Sequence, residues 1–229
     1  MSDGRLYLVR HGETAANVEG LWQGRQGDDP LNERGRAQSS AAAEALVDSA
    51  ASAIYASGLR RAMETAEAIG VRLGLQVMTH AGLREYDFGD LEGATTSEVL
   101  AQWRTLLERW RTDPSARPPG GESAMEFTLR VGSALREIVE QHKGERVIVV
   151  AHGGSISVGL AVLVGEPGSW QDYQMTNCGI SVVRLGPNRE LLTFDKTSHL
   201  EGIGTTAWGG ADVTLDEPPE PPQTSPERT

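Results

Sequence analysis

The sequence has very little cysteine, and Cys178 is the only one among its 229 residues. A single cysteine cannot form a disulfide within the chain, and no CxxC pair is present to bind zinc or to carry out redox chemistry. This composition is typical of a protein that works in a reducing compartment. We therefore expect a cytoplasmic protein.

The sequence also lacks long apolar runs. No stretch approaches the roughly 20 consecutive apolar residues that a helix needs to span a bilayer. Residues 1–5 lead directly into the short apolar segment 6–9, without the basic region and long apolar region of a secretion signal. We expect neither a membrane segment nor an export signal.

Basic residues are outnumbered by acidic ones. Lys and Arg total 21 against 32 Asp and Glu, which gives a formal net charge of -11 at pH 7. The summed field of such a chain repels nucleic acid and anionic lipid, so we expect neither as a partner. An anionic ligand would have to bind in a local cationic pocket, because salt screens charges beyond about 8 Å.

Motifs for metal and nucleotide binding are missing as well. No HExxH, HxH or clustered aspartate pattern accompanies the histidines, which argues against a metal hydrolase. No GxxxxGKS/T segment is present, which argues against a nucleotide-binding P-loop. We therefore expect no metal ion and no cofactor.

Short apolar segments alternate with segments of helical periodicity, and this alternation predicts an α/β protein. Strands are predicted at residues 6–9, 53–56, 75–78, 147–150, 180–185 and 191–194, the last two as a hairpin. Helices are predicted at 32–47, 59–73, 95–111 and 156–164, and from Ser123 to His142. The order predicts a three-layer sandwich, with a mostly parallel central sheet and helices on both faces.

Two of these helices have an apolar face that we expect to pack on the sheet. In the helix at 32–47 that face consists of Ala37, Ala41, Ala45 and Leu46. In the helix that follows Ser123 it consists of Met125, Leu129, Gly132, Leu135, Val139 and His142. Both sets follow the spacing of three and four residues that is typical of a buried helix face.

The chain divides into one domain at 1–210 and a tail at 211–229. A short helical cap is expected as an insertion at about 90–122, and its Trp103 and Trp110 fit either a ring-containing substrate or an ordinary packed helix. The tail holds five of the 11 prolines and a net charge of -4. That composition predicts a disordered segment.

Two distant segments of the sequence share one layout, in which an apolar strand is followed by His and Gly. His11 follows the strand at 6–9, and His152 follows the strand at 147–150. Ligands of parallel α/β sheets bind beyond the carboxyl ends of the strands, so the two histidines can meet in one pocket. The alternative, that each histidine merely ends its strand, is weaker for two matched segments than it would be for one.

The segment Arg10-His11-Gly12-Glu13-Thr14 resembles the signature of the histidine phosphatase superfamily, which includes cofactor-dependent phosphoglycerate mutases and many small-molecule phosphatases. Further pieces of the family pattern follow in order between residues 5 and 185. They are Asn17, Gln23, Gly24 and residues 31–35, 57–62, 83–85, 89–93, 120–123 and 151–154. The resemblance implies a phosphoglycerate mutase-like fold with a short helical cap.

The resemblance also implies a role for each matched residue. His11 would attack phosphorus and carry the phosphoryl group. Arg10, Arg61 and His152 would surround the oxygens of that group. Glu85 would protonate the leaving oxygen and then activate water. Further contacts with the substrate are implied for Asn17, Gln23, Gly24 and Gly153, although Asn17 or Gln23 could instead simply hold its loop.

The arginine at position 61 has an arginine neighbour, Arg60. In the family pattern the phosphate-binding arginine directly precedes an alanine, and this selects Arg61. Adjacent side chains of a helix point about 100° apart. We therefore expect Arg60 to face solvent or the edge of the substrate.

The resemblance favours a phosphatase that acts on a small phosphate ester, and two alternatives remain. The first is a phosphoglycerate mutase, although such mutases carry a longer insert where this chain has residues 91–95. The second is a binding or regulatory module without activity, although such relatives usually lose a catalytic residue and all five are present here. The oligomeric state is open, and a homodimer is one alternative because many relatives pair through sheet edges.

Overall fold

The computed structural model describes residues 4–165 and 173–205, which form six strands and six α-helices. The strands are β1 (Arg5–Arg10), β2 (Ala53–Ala56), β3 (Val77–Thr79), β4 (Arg146–Ala151), β5 (Ile180–Arg184) and β6 (Glu190–Lys196). The helices are α1 (Ala15–Glu19), α2 (Glu33–Ala45), α3 (Arg60–Leu73), α4 (Thr96–Thr112), α5 (Ala124–Gln141) and α6 (Gly153–Val164). The predicted tail at 211–229 lies outside the described residues.

The strands form one mixed sheet in the order β3-β2-β4-β1-β5-β6. β1, β2, β3 and β4 run parallel, whereas β5 and β6 form an antiparallel hairpin at one side. β1 and β4 are neighbours along their whole length, from Arg5 opposite Arg146 to Arg10 opposite Ala151. The predicted parallel core and the predicted late hairpin are both confirmed.

Helices cover the sheet on both faces, because successive side chains of each strand point to opposite sides. Leu8 and Val149 pack with Leu135 in the core beneath α5 and α6. Val9 and Val150 pack in the second core, beneath α2 and α3. Each fully buried side chain of this size stabilises the fold by roughly 1.5–3 kcal/mol. The predicted three-layer sandwich is confirmed.

The predicted face of α2 is largely wrong, although Leu46 is buried and Ala41 is half-buried. Ala37 and Ala45 are exposed, and the helix instead buries Gly35, Gln38, Ser39, Ala42 and Ala43. The polar members of this face have partners inside the protein, since Gln38 accepts a hydrogen bond from Glu13 N and donates one to Gly204 O. A count of apolar residues overlooks a buried face that consists of small and polar residues.

The predicted face of α5 is only partly right. Gly132 and Leu135 are buried, but Met125 is 49% exposed and Leu129 is 58% exposed. The buried face consists of Phe127, Val131, Gly132, Ala134, Leu135 and Ile138. The predicted face differs from the buried one in the first turns of the helix, where Met125 and Leu129 are exposed. In the structure β3 begins two residues and ends one residue later than predicted, and the short helix α1 is additional.

The segment between β3 and α5 holds α4 and a short 3-10 turn at Gly89–Leu91. Its base is joined to the loop after α1, because Trp22 N donates to Ala94 O at 2.9 Å and Gly93 N donates to Trp22 O at 3.0 Å. α4 is irregular at Trp103, where φ is -121° and ψ is 18°. No helix within the described ranges has the length and apolar character that a bilayer crossing would require.

The carboxyl ends of β1, β2 and β4 lie at one edge of the sheet, because these strands are parallel and adjacent in the order β2-β4-β1. The residues that directly follow them are His11, Ser57 and His152. Parallel sheets bind ligands at this edge. The fold therefore places these three polar side chains at the position where a ligand site is expected.

Candidate active site

His11 directly follows β1, and its side chain is buried. The ring Nδ1 lies 2.8 Å from the carbonyl oxygen of Gly12, which can only accept a hydrogen bond, so Nδ1 carries the proton. Burial, and then the charges of Arg61 and Arg10, hold the pKa of His11 well below its ordinary value of 6.5. The imidazole is therefore neutral, with an unprotonated Nε2.

The turn after His11 depends on two glycines that face each other. A Cβ on Gly12 would lie 2.5 Å from Gly35 O, and a Cβ on Gly35 would lie 2.1 Å from Glu13 O. Thr65 of α3 accepts a hydrogen bond from Gly12 N at 3.0 Å. The close approach of α2 and the contact from α3 hold the Gly12 carbonyl where it orients the His11 ring.

Arg10 is the last residue of β1 and is 2% exposed. Its Nη1 donates to Met175 O at 2.7 Å, whereas its buried Nε has no partner within the described residues. Burial lowers the pKa of Arg10 to about 10, and the negative charges of Glu85 and Asp195 act in the opposite direction. Arg10 thus remains cationic at neutral pH and has a donor available for a ligand.

Arg61 lies in the first turn of α3 and is completely buried. Its Nη1 donates to Gly27 O at 3.0 Å, its Nη2 to Gly24 O at 2.9 Å, and its Nε to His152 Nδ1 at 3.2 Å. A guanidinium has five N–H donors, so further donors remain for a ligand. Arg60 points elsewhere, since its side chain is 57% exposed and pairs with Glu64. The predicted divergence of the two arginines is confirmed.

The rings of His152 and His11 lie side by side, with their centroids 5.2 Å apart and their planes at 58°. His152 Nδ1 accepts the hydrogen bond from Arg61, and its Nε2 lies 2.7 Å from Ser57 Oγ. Burial, and then the charge of Arg61, keep the pKa of His152 well below 6.5. His152 is therefore neutral, with its proton on Nε2 and directed toward Ser57.

No separate role was predicted for Ser57. A signal for it was present, because Ser57 follows β2 in the same way that the two histidines follow β1 and β4. Its oxygen also accepts a hydrogen bond from Leu59 N at 3.3 Å. Ser57 thus connects the start of α3 to the ring of His152.

Glu85 brings a buried carboxyl group to the site, with 4% of the residue exposed. Its Oε1 accepts from Tyr86 N at 2.8 Å, and its Oε2 accepts from Gly154 N at 2.9 Å. Burial raises the pKa of Glu85, while these two hydrogen bonds and the charges of Arg61 and Arg10 oppose the increase. The group is suited to hold and release a proton close to two cations.

The position of Glu85 explains the second glycine of the segment at 151–154. A Cβ on Gly154 would lie 2.5 Å from Glu85 Oε1, so a side chain there would displace the carboxyl group. The glycine predicted to contact the substrate is instead Gly153, which is the first residue of α6. The N–H groups at a helix start have no acceptor within the helix and can face an anion.

Asn17 and Gln23, the two predicted neutral ligands, are joined through Thr14. Gln23 Nε2 donates to Thr14 Oγ1 at 2.7 Å, and Thr14 Oγ1 donates to Asn17 Oδ1 at 3.1 Å. The other amide atom of Gln23, Oε1, is buried without a partner within the described residues. If the two amide atoms exchanged places, an NH2 group would take this position, and the Thr14 hydroxyl would donate to Gln23 instead of Asn17.

Asn177 was missed by the sequence analysis. It is fully buried, and its Nδ2 donates to His11 O at 3.0 Å and to Asn17 Oδ1 at 3.2 Å. The next residue, Cys178, donates its N–H to Arg10 O at 3.0 Å. The loop before β5 therefore supports the backbone of both Arg10 and His11, and no local motif in the sequence indicated this.

The charges of the site favour a small anion. Arg10 and Arg61 contribute two buried cations, the two imidazoles are neutral, and Glu85 is the carboxyl group whose charge acts most strongly on both arginines. Bidentate guanidinium contacts are well suited to the oxygens of phosphate. Across residues 4–165 and 173–205, no group of three or more His, Cys, Asp or Glu side chains could hold a metal ion.

Trp110 of the cap belongs to an aromatic cluster with the loop after α1. Its ring is stacked on Trp22 at 6.4 Å, and Tyr86 meets it edge to face at 5.6 Å. Its indole N–H donates to Ala116 O at 3.1 Å. These contacts favour the packed-helix interpretation of Trp110 over a direct role in binding a substrate ring.

The fold and the site together describe an α/β protein in which two neutral imidazoles and two buried guanidinium groups meet at one edge of the sheet. The sequence model of one family, the histidine phosphatase superfamily (branch 1), matches residues 6–195 of the chain. The chain belongs to this family.

Several known proteins are similar to the chain over most of its length. Phosphoglycerate mutase-like protein 4 of Arabidopsis thaliana is 36% identical, over 91% of this chain and 93% of its own. Glucosyl-3-phosphoglycerate phosphatase of Mycolicibacterium vanbaalenii is 39% identical, over 71% of this chain and 75% of its own. The solved structure of a mycobacterial glucosyl-3-phosphoglycerate phosphatase with VO3 has a TM-score of 0.76 and 34% identity, over 84% of this chain and 99% of that one.

Proposed function

We propose that the protein is a phosphatase that hydrolyses a phosphate monoester of a small molecule through a phosphohistidine on His11. The observation that carries the proposal is the state of the His11 ring. Its Nδ1–H is held by the Gly12 carbonyl and its pKa is lowered, so Nε2 is an unprotonated nucleophile beside two arginines. The phosphatase names of several relatives support the same conclusion.

In the first step, Nε2 of His11 forms a bond to phosphorus while the bond from phosphorus to the ester oxygen breaks. Arg10 and Arg61 stabilise the charge on the phosphoryl oxygens, which is where phosphoryl transfer needs most help from an enzyme. Glu85 acts in this step in its protonated form, which is favoured because burial raises its pKa. It gives its proton to the leaving oxygen, which departs as an alcohol.

In the second step, a water molecule attacks phosphorus and the bond from phosphorus to Nε2 breaks. Glu85 is now a carboxylate and accepts a proton from this water. Phosphate leaves, and both His11 and Glu85 return to their starting protonation states. One carboxyl group thus serves as acid and then as base, so no second acid or base is required.

Phosphoglycerate mutase activity is a second candidate function, because a relative that is 36% identical is named phosphoglycerate mutase-like protein 4. A mutase would use the same first step. It would then return the phosphoryl group to a hydroxyl of the substrate rather than to water. The two candidates therefore differ only in the acceptor of the second step.

The experiment that separates them is a turnover screen over phosphate monoesters, with phosphate release and phosphoglycerate isomerisation measured in the same samples. We expect phosphate release that is abolished in His11→Ala and retained in His80→Ala, which changes a histidine paired with Glu137. Isomerisation faster than hydrolysis would favour the mutase. A wild-type protein without turnover on any ester would contradict both and favour a binding module.

A further inference from the structure

Glu92 lies at the base of the cap, directly after the 3-10 turn at Gly89–Leu91, and its carboxylate reaches the loop that follows α1. Its Oε1 accepts a hydrogen bond from Arg25 N at 3.1 Å, and its Oε2 accepts from Gln26 N at 3.0 Å and from Gly27 N at 3.3 Å. One side chain thus holds three consecutive backbone N–H groups that are more than 60 residues away in the sequence.

The opposite side of the same loop holds Arg61. The carbonyl oxygens of Gly24 and Gly27 accept the hydrogen bonds from its Nη2 and Nη1. The peptide groups at 24–27 therefore have the Glu92 carboxylate on one side and the Arg61 guanidinium on the other. A change in the position of Glu92 would shift the carbonyls that set the orientation of this arginine.

The Glu92 carboxylate occupies the space that a side chain at position 24 would need. A Cβ on Gly24 would lie 2.0 Å from Glu92 Oε1, so any side chain at position 24 would push the carboxylate out. The negative charge of Glu92 also acts directly on Arg61, whose pKa is lowered by burial and raised in part by several carboxylates, including this one.

We propose that Glu92 is a positioning residue, which orients Arg61 toward a bound phosphoryl group through the loop at 24–27. The proposal rests on the phosphatase function proposed above, because it takes Arg61 as a ligand of the anion. It gives the base of the cap a role in the site. The base of the cap completes the anion-binding pocket although Glu92 is not itself placed in it.

The test compares Glu92→Ala with Glu98→Ala, which removes another carboxylate of the cap that also accepts a backbone N–H, that of Thr95. The measured quantity is the inhibition constant of inorganic phosphate against hydrolysis of p-nitrophenyl phosphate. We expect it to rise by about 10–100-fold in Glu92→Ala, as for the loss of charge-assisted hydrogen bonds. It should stay unchanged in Glu98→Ala. Equal inhibition constants in wild type and a folded Glu92→Ala would overturn the proposal.

A double-mutant cycle shows whether Glu92 acts through Arg61. In an Arg61→Ala background, adding Glu92→Ala should cause no further loss of kcat/KM. Additive losses would mean that Glu92 acts on the site by another route, and would also overturn the proposal. A wild-type protein that neither hydrolyses an ester nor binds phosphate would instead contradict the proposed function, so the two failures can be told apart.

Folding of each variant is checked by the cooperativity of its thermal unfolding. If Glu92→Ala does not fold, Gly24→Ala disturbs the same contact from the other side, because its methyl group would meet the carboxylate. We expect the same rise in the inhibition constant for phosphate. A folded Gly24→Ala with wild-type phosphate inhibition would then overturn the proposal.

Discussion

Arg61 donates a hydrogen bond from Nε to Nδ1 of His152, with 3.2 Å between the two nitrogens. Because Nε of arginine always carries a hydrogen, Nδ1 must be the acceptor, and the proton of the neutral imidazole is on Nε2. That Nε2–H is directed at Ser57 Oγ, with 2.7 Å between the nitrogen and the oxygen. Arg61 thus selects the tautomer of His152, and Ser57 accepts the hydrogen bond from its Nε2.

The variant Ser57→Ala tests this arrangement. It leaves the Nε2–H of His152 buried without an acceptor, which should lower the free energy of unfolding by about 1–3 kcal/mol. We also expect kcat/KM to fall by about tenfold, because the ring is no longer fixed. Denaturant unfolding and steady-state kinetics measure the two effects. Ser40→Ala on the exposed side of α2 is the control, and equal stability and activity in both variants would contradict the interpretation.

The variant Glu85→Gln separates the two steps of the proposed reaction. With p-nitrophenyl phosphate the leaving group departs without a proton, so the first step should persist, whereas attack by water loses its base. We expect a burst of nitrophenol of about one equivalent per protein, followed by slow turnover. Stopped-flow absorbance measures it. Steady turnover at the wild-type rate, with no burst, would rule out Glu85 as the base.

The pH dependence of kcat/KM for an alkyl phosphate follows from two opposite pKa shifts. His11 must be neutral, and its lowered pKa means that activity is retained as the pH falls below 6.5. Glu85 must be protonated, so activity falls as the pH rises through its raised pKa. We therefore expect the optimum on the acid side of neutrality. Glu85→Gln should lose the alkaline decline, and an unchanged decline in that variant would assign it to another group.

The variant Gly35→Ala tests the turn that orients His11. Its methyl group would lie 2.1 Å from Glu13 O, so the backbone must move. We expect a loss of stability of about 1–3 kcal/mol, together with a large loss of activity as the Gly12 carbonyl shifts. Thermal unfolding and kinetics measure both effects. Gly186→Ala is the matched control, since a Cβ there meets nothing within 4 Å; a harmless Gly35→Ala would show that the turn can adapt.

Much of the fold could be predicted from local patterns. The strand at 147–150 and its helix α6 follow from a branched apolar run and from apolar residues after two glycines, and the observed bounds are close to the predicted ones. The faces of α2 and α5 could not be predicted as well. Gln38 is buried because Glu13 and Gly204 satisfy its amide, and such partners come together only in the folded chain.

The candidate site shows the same division. His11 and His152 could be selected from the sequence because each follows an apolar strand and precedes a glycine. Ser57 stands in the same position after β2 and before Gly58, but its action on His152 was not apparent from that pattern. Glu92 and Asn177 could not be assigned in this way, because each acts on another part of the site across a long separation in the sequence. Contacts of this kind depend on tertiary structure, which a single sequence does not display.

The central claim is that His11 carries the phosphoryl group during turnover. Rapid mixing with a radiolabelled phosphate ester, followed by quenching at alkaline pH and peptide mass analysis, tests it most directly. We predict a phosphoryl group on Nε2 of His11 that forms before phosphate release, decays at the rate of turnover and is absent in His11→Ala. Turnover without a phosphorylated protein, or with the label on another residue, would contradict the account.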